Sequence, residues 1–151
     1  ISILGLSDGN DYDNPELSPD GKRVLVDNVQ GNIDLWIIDA VQGIPNRFTF
    51  NAAAERWGVW SPDGKHTAFF SDRENRQGDI YQKPASATGN EELLLDSPAL
   101  QKIPVDWSPD GQQLAYVSRV EGVEEVTHLR CGLLDHIEDG PLLFVVVVGI
   151  E

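Results

Sequence analysis

Trp60-Ser61-Pro62-Asp63-Gly64 and Trp107-Ser108-Pro109-Asp110-Gly111 are two copies of one five-residue stretch, and Leu17-Ser18-Pro19-Asp20-Gly21 is a third with leucine for the aromatic. Their glycines stand 43 and 47 residues apart, so the 151-residue chain reads as an array of structural units. Each stretch suits a tight turn between antiparallel strands: proline presets φ, aspartate tolerates the next position, and glycine takes positive φ without steric strain. A β-rich segment follows each turn, at Arg23 to Val26, Thr67 to Phe70 and Leu114 to Val117. These form the second strand of each unit, with the residues before the turn forming the first.

The downstream landmarks repeat as well. Asp34-Leu35-Trp36, Asp79-Ile80-Tyr81 and Glu125-Val126-Thr127 begin 14, 16 and 15 residues after the turn aspartates Asp20, Asp63 and Asp110, marking a third strand. Glycine turns at Gly43, Gly89 and Gly140 then lead to a fourth, expected at Arg47 to Phe50, Glu92 to Leu95 and Leu142 to Val148. No segment sustains a 3.6-residue apolar period, so almost no helix is expected. Four short strands in a unit of about 45 residues describe a propeller blade. The expected fold is all-β: three four-stranded antiparallel blades, near residues 10–51, 52–98 and 99–151, making half of a six-bladed β-propeller.

Here the residues resemble a known family. An aromatic before Ser-Pro-Asp-Gly, a strand, Ser71-Asp72-Arg73 and then Asp79-Ile80-Tyr81 are similar to the TolB-type, WD-repeat-like β-propeller repeat. Residues 31–119 also resemble the propeller segment of bacterial receptor serine/threonine kinases, notably those of acidobacteria. The resemblance implies a non-catalytic, sensor-like binding scaffold in a periplasmic or extracytoplasmic setting. A rival implication is the propeller module of a prolyl-oligopeptidase-like hydrolase whose catalytic domain lies elsewhere. Thr127 departs from the repeat, which expects an aromatic there.

Three blades are fewer than the four to eight that close a ring. A second copy related by a twofold axis would complete six blades, so a homodimer is expected. Residues 1–6 read as a strand that could clasp the partner's third blade. The chain starts at Ile1 and contains no methionine, as expected of a processed protein or a fragment.

Composition narrows the partners. Hydrophobic content of 40% and charged content of 24% are those of a soluble globular domain. A net charge of −14 repels phosphate, which argues against nucleic acid and anionic membranes. The most apolar run, Leu142 to Val148, is too short to span a bilayer and reads as a buried strand. Cys131 stands alone, so no intramolecular disulfide forms.

The candidate sites are few. Gly5-Leu6-Ser7-Asp8-Gly9 matches the Gly-x-Ser-x-Gly elbow of hydrolases, but the polar, proline-ended residues after it cannot start the helix that motif needs. It reads as a turn, and no catalytic residue is assigned. Asp8, Asp11, Asp13 and Glu16, and likewise Asp72, Glu74 and Asp79, would suit calcium by residue type but not by spacing. They read as solvated loops, and no cofactor is expected. His66, His128 and His136 show no ligand spacing. Trp60 and Trp107 occupy equivalent places and read as blade packing. Trp57 breaks the repeat and is the candidate for ligand recognition. Ser18, Pro19, Asp20 and Gly21, with their counterparts Ser61, Pro62, Asp63, Gly64, Ser108, Pro109, Asp110 and Gly111, are assigned as structural turns.

Overall fold

The computed structural model describes residues 9–73, 78–95, 101–119 and 143–149. Eleven strands run through them: β1 (Tyr12–Leu17), β2 (Arg23–Asn28), β3 (Asp34–Asp39), β4 (Pro45–Arg47), β5 (Glu55–Trp60), β6 (His66–Ser71), β7 (Asp79–Pro84), β8 (Glu92–Leu95), β9 (Gln101–Trp107), β10 (Gln113–Arg119) and β11 (Leu143–Gly149). No helix occurs among the described residues. Two four-stranded antiparallel sheets have the orders β1-β2-β3-β4 and β5-β6-β7-β8, and the third has the order β11-β10-β9.

Every Ser-Pro-Asp-Gly stretch joins the first two strands of its sheet. Gly21, Gly64 and Gly111 have φ of 69°, 66° and 70°, the left-handed conformation that glycine alone adopts freely. The amide of each glycine donates to the carbonyl of Ser18, Ser61 or Ser108 at 2.8 Å. The turn aspartate then caps the far side. Asp20 Oδ1 accepts from Ser18 Oγ at 2.6 Å and from the Lys22 amide at 3.1 Å, and Asp63 and Asp110 repeat this pattern.

The cores lie between sheets. Leu25, Leu35 and Phe48 of the first sheet pack with Trp60, Phe69, Tyr81 and Ala85 of the second. Val59, Ala68 and Ile80 of the second pack with Trp107, Leu114 and Tyr116 of the third. Burial of such side chains contributes about 1.5–3 kcal/mol each, so the sheets stabilise one another as stacked blades. The first strand carries this stacking: β5 lies against β1, β2 and β3, and β9 lies against β5, β6 and β7. Leu17 occupies the place of Trp60 and Trp107 but is 59% exposed, against 5% and 9% for the tryptophans.

Two strand assignments differ from the sequence reading. The fourth strand of the first sheet ends at Arg47 instead of running to Phe50. Phe48 turns into the core, and Thr49 Oγ1 accepts the Leu35 amide at 2.9 Å, which draws the chain out of the ladder. In the third sheet, β11 pairs directly with β10, with Val145 opposite Val117 and Val148 opposite Leu114. It therefore takes the third position, not the fourth. A run of β-branched residues suits that long ladder against β10. The strand expected at 125–127, the turn at Gly140 and the clasp strand at 1–6 lie outside the described residues.

Candidate functional site

The first strand of each sheet is kinked at one place. Register shifts fall between Asp13 and Glu16, between Arg56 and Val59, and where Asp106 and Pro104 face Ala115 and Tyr116. Such bulges re-aim side chains and sharpen the twist. Asn14 and Trp57 occupy equivalent bulge positions with φ of 50° and 54°. Buried Asp27 ties these two bulges together: it accepts from Asn14 Nδ2 at 2.7 Å and from the Trp57 amide at 3.1 Å. Burial pushes its carboxyl up to about 6, against the lowering effect of those two hydrogen bonds. The Trp57 ring is half-buried, edge-on to Phe70 at 5.1 Å. Its neighbour Arg56 stands 5.8 Å from the ring centre.

Charged residues span both interfaces: Asp34, Arg73 and Asp79, which mark the repeat in the sequence, meet Arg47, Glu55, Lys83, Glu91 and Lys102, which the sequence reading did not single out. Five residues before the repeat position of the tryptophan stand Tyr12, Glu55 and Lys102. Lys102, 1% exposed, pairs with Asp79 of the second sheet. Glu55, fully buried, feels the charge of Asp34, the counterpart of Asp79, so two carboxylates face each other where the other interface has an ion pair. Each has its own arginine partner. Arg47 holds Asp34 at 2.8 Å, and Arg73 contacts Glu55 while reaching Glu91 at 2.6 Å. Lys83 extends the network to Glu91 at 3.2 Å and to the Phe48 carbonyl at 2.8 Å. Burial, with repulsion from Glu91 and Asp34, raises the Glu55 carboxyl to about 7 against the pull of Thr49 and Arg73.

The turn end of the two interfaces differs in a second way. At the first, the Arg23 guanidinium lies 4.6 Å from the Trp60 ring centre and donates to the carbonyls of Ala85 at 2.8 Å and Gly64 at 3.1 Å. Trp60 Nε1 donates to the Glu16 carbonyl at 3.1 Å. At the second, His66 stands in the place of Arg23, and a cleft of about 440 Å³ opens over Trp107, lined also by Asp63, Gln82, Asp110 and Gly111. Trp107 Nε1 is buried without a hydrogen-bond partner among the described residues.

The sequence-derived candidates are thus distributed. Ser61, Pro62 and Asp63 of the second stretch and Pro109, Asp110 and Gly111 of the third border this cleft, whereas Trp57 lies on the bulge of β5. Ser7, Asp8, Glu74, His128, Cys131 and His136 lie outside the described residues. Among the described residues, no three His, Cys, Asp or Glu side chains gather as a metal site. A smaller hollow of about 310 Å³ at the first sheet is lined by Asn10, Asn28, Gln30 and Asn32 with Trp36 and the Asp34–Arg47 pair.

The TolB β-propeller domain family matches residues 8–135. The chain belongs to that family. TolB of Acinetobacter baumannii is similar in structure, with a TM-score of 0.68 and 26% identity over 81% of this chain and 30% of that one. The acylaminoacyl peptidase of Pyrococcus horikoshii shares the fold, with a TM-score of 0.56 and 17% identity over 79% of this chain and 19% of that one. In sequence, the chain is 33% identical over 116 residues to a Bacillus subtilis (strain 168) protein described as the uncharacterized peptidase YuxL. That match takes in 72% of this chain and 17% of the relative's length.

Proposed function

We propose that this TolB-family chain is a non-catalytic scaffold that binds a protein or small ligand through its loops and blade interfaces. In this reading its sheets form half of a six-bladed ring, and a second copy supplies the rest. One observation carries the proposal. Leu17 is exposed at the position where Trp60 and Trp107 are buried by the preceding blade, so the first sheet presents a blade-receiving face. A twofold axis places the third sheet of another copy on that face without any further sequence. In this reading the role is sensor-like and lies outside the cytoplasm, as the sequence resemblance of residues 31–119 to receptor-kinase propellers implies.

A second reading has its own support, the 33% identity to the uncharacterized peptidase YuxL. Under it, the sheets belong to the propeller of a larger hydrolase. Light scattering on the purified chain, together with a peptidase assay on the product of its whole reading frame, separates the two. The scaffold reading expects a dimer and no peptide hydrolysis. A monomeric chain, with hydrolysis by a longer product, would establish the peptidase reading instead.

A further inference from the structure

We propose that the cleft over Trp107, between the second and third sheets, is a receptor for an arginine side chain of a partner peptide. The inference deepens the scaffold reading, on which it rests, by naming the chemistry of what is bound. Its template is within the molecule. The two turn interfaces stack alike: a Cβ built on Gly64 would stand 3.7 Å from Pro19, and one on Gly111 would stand 3.9 Å from Pro62. The first interface is filled from within by Arg23, which lies over the indole of Trp60 and donates to the Gly64 carbonyl. The second has the same indole and the same glycine, Trp107 and Gly111, but the shorter imidazole of His66 where the guanidinium would be.

Three features make the open place suited to a cation. An indole face attracts guanidinium more strongly than other rings do, and Arg stacks on it well. Gln82 replaces the apolar Ile37 of the first interface, adding a hydrogen-bonding wall where the first interface packs Ile37 against its core. Asp63 and Asp110 supply negative charge at the rim. Hydrogen bonds from Ser61 and Ser108, and from the amides of Lys65 and Gln112, hold both carboxyls below their ordinary value. Lys65 Nζ stands 3.5 Å from Asp63 Oδ2, both exposed, whereas Asp110 makes no ion pair among the described residues. Asp110 is therefore the stronger attractor. The net charge of −14 would draw a basic segment toward this surface before it docks.

The probe is the blocked tripeptide Gly-Arg-Gly, titrated into the isotopically labelled full chain, with the citrulline tripeptide as its uncharged twin. Saturable shifts at the Gly111 amide and the Trp107 indole are expected, with the arginine peptide binding at least about fivefold tighter than the citrulline one. H66R should abolish this binding by filling the cleft from within, as Arg23 does at the first interface. Asp110→Asn keeps the turn and should weaken binding about threefold or more. Both positions are exposed, and a native-like amide spectrum of each variant verifies folding. Equal binding of the two peptides, shifts located elsewhere, no binding, or binding unaltered by H66R would each overturn the proposal. Those results leave the scaffold reading intact, whereas peptide hydrolysis by the whole gene product would remove that reading.

Discussion

Asp27 and Glu55 are carboxyls whose burial has made them reluctant anions, and this fixes the pH dependence of stability. Asp27 titrates near 6 in the folded chain against an ordinary 3.8, and Glu55 near 7 against 4.5. Between the ordinary and folded values, the native state holds more protons than the unfolded chain. Stability therefore falls as pH rises from about 4 to about 7, and levels off above. The turn aspartates Asp20, Asp63 and Asp110, and also Asp39, are shifted downward, so they act in the opposite sense and withdraw stability below about pH 4. A urea midpoint highest near pH 4 to 5, declining toward pH 8, is the expected profile. For Asp27 alone the decline is of order 2 to 3 kcal/mol, since a tenfold difference in proton affinity between folded and unfolded chain corresponds to about 1.4 kcal/mol. Asp27→Asn retains an acceptor for the Trp57 amide and removes the titration. It should flatten the profile between pH 4 and 6 and leave stability at pH 8 unchanged or raised. An unaltered slope in that variant would move the proton uptake to other groups.

At the scale of the element, each first strand must approach the sheet before it, and Gly58 shows how close that approach is. A Cβ at this position would lie 2.5 Å from Leu25 Cδ2 and 3.3 Å from Leu35 Cδ1, both in the core between the first two sheets. Gly58→Ala is expected to destabilise by about 1–3 kcal/mol in urea unfolding, as overpacking does. Leu25→Val removes the clashing methyl. Combined with Gly58→Ala it should therefore cost less than the two separate losses together, and strict additivity would place the strain elsewhere. The strands themselves were largely legible in the sequence, because turn glycines at positive φ punctuate the hairpins whose turns lie among the described residues. The fourth strand of the first sheet was not, since Arg47 to Phe50 alternates like a strand while Phe48 in fact leaves the ladder for the core. Nor were the ion pairs legible as such: Asp79 and Lys102 are 23 residues apart and belong to different sheets. Their signal lay in the repeat, at the place five residues before Leu17, Trp60 and Trp107, where Tyr12, Glu55 and Lys102 break an otherwise regular alignment. Likewise, Arg23 and His66 in the same column distinguish a filled interface from an open cleft, but their meaning depends on which side chain lies across the interface.

For the whole molecule, the question is what covers the face that Leu17 presents. Trp60 is held in its interface by a stack of Arg23, a hydrogen bond to Glu16 and the core of the preceding sheet. Leu17 is equivalent in the repeat, and β1 around it is exposed at every residue from Asp13 onward. A sheet left open on such a side leaves the Leu17 side chain in water at the place where the preceding blade covers its two tryptophan counterparts. In the proposed dimer a second copy placing its third sheet there would meet the need twice over, because a twofold axis covers both faces at once. Light scattering should then give about twice the 16.7 kDa mass of the chain at micromolar concentration. Leu17→Glu sets a charge in the centre of that contact and should raise the dissociation constant at least about tenfold, the effect of some 1.4 kcal/mol. Leu17→Trp restores the residue that the other two interfaces use and should tighten the dimer. Both variants leave the two inner cores untouched, so their unfolding at concentrations where each is monomeric should match. If Leu17→Glu changes the monomer's stability but not the association, the face belongs to an intramolecular contact, and the ring is closed by blades of a longer chain.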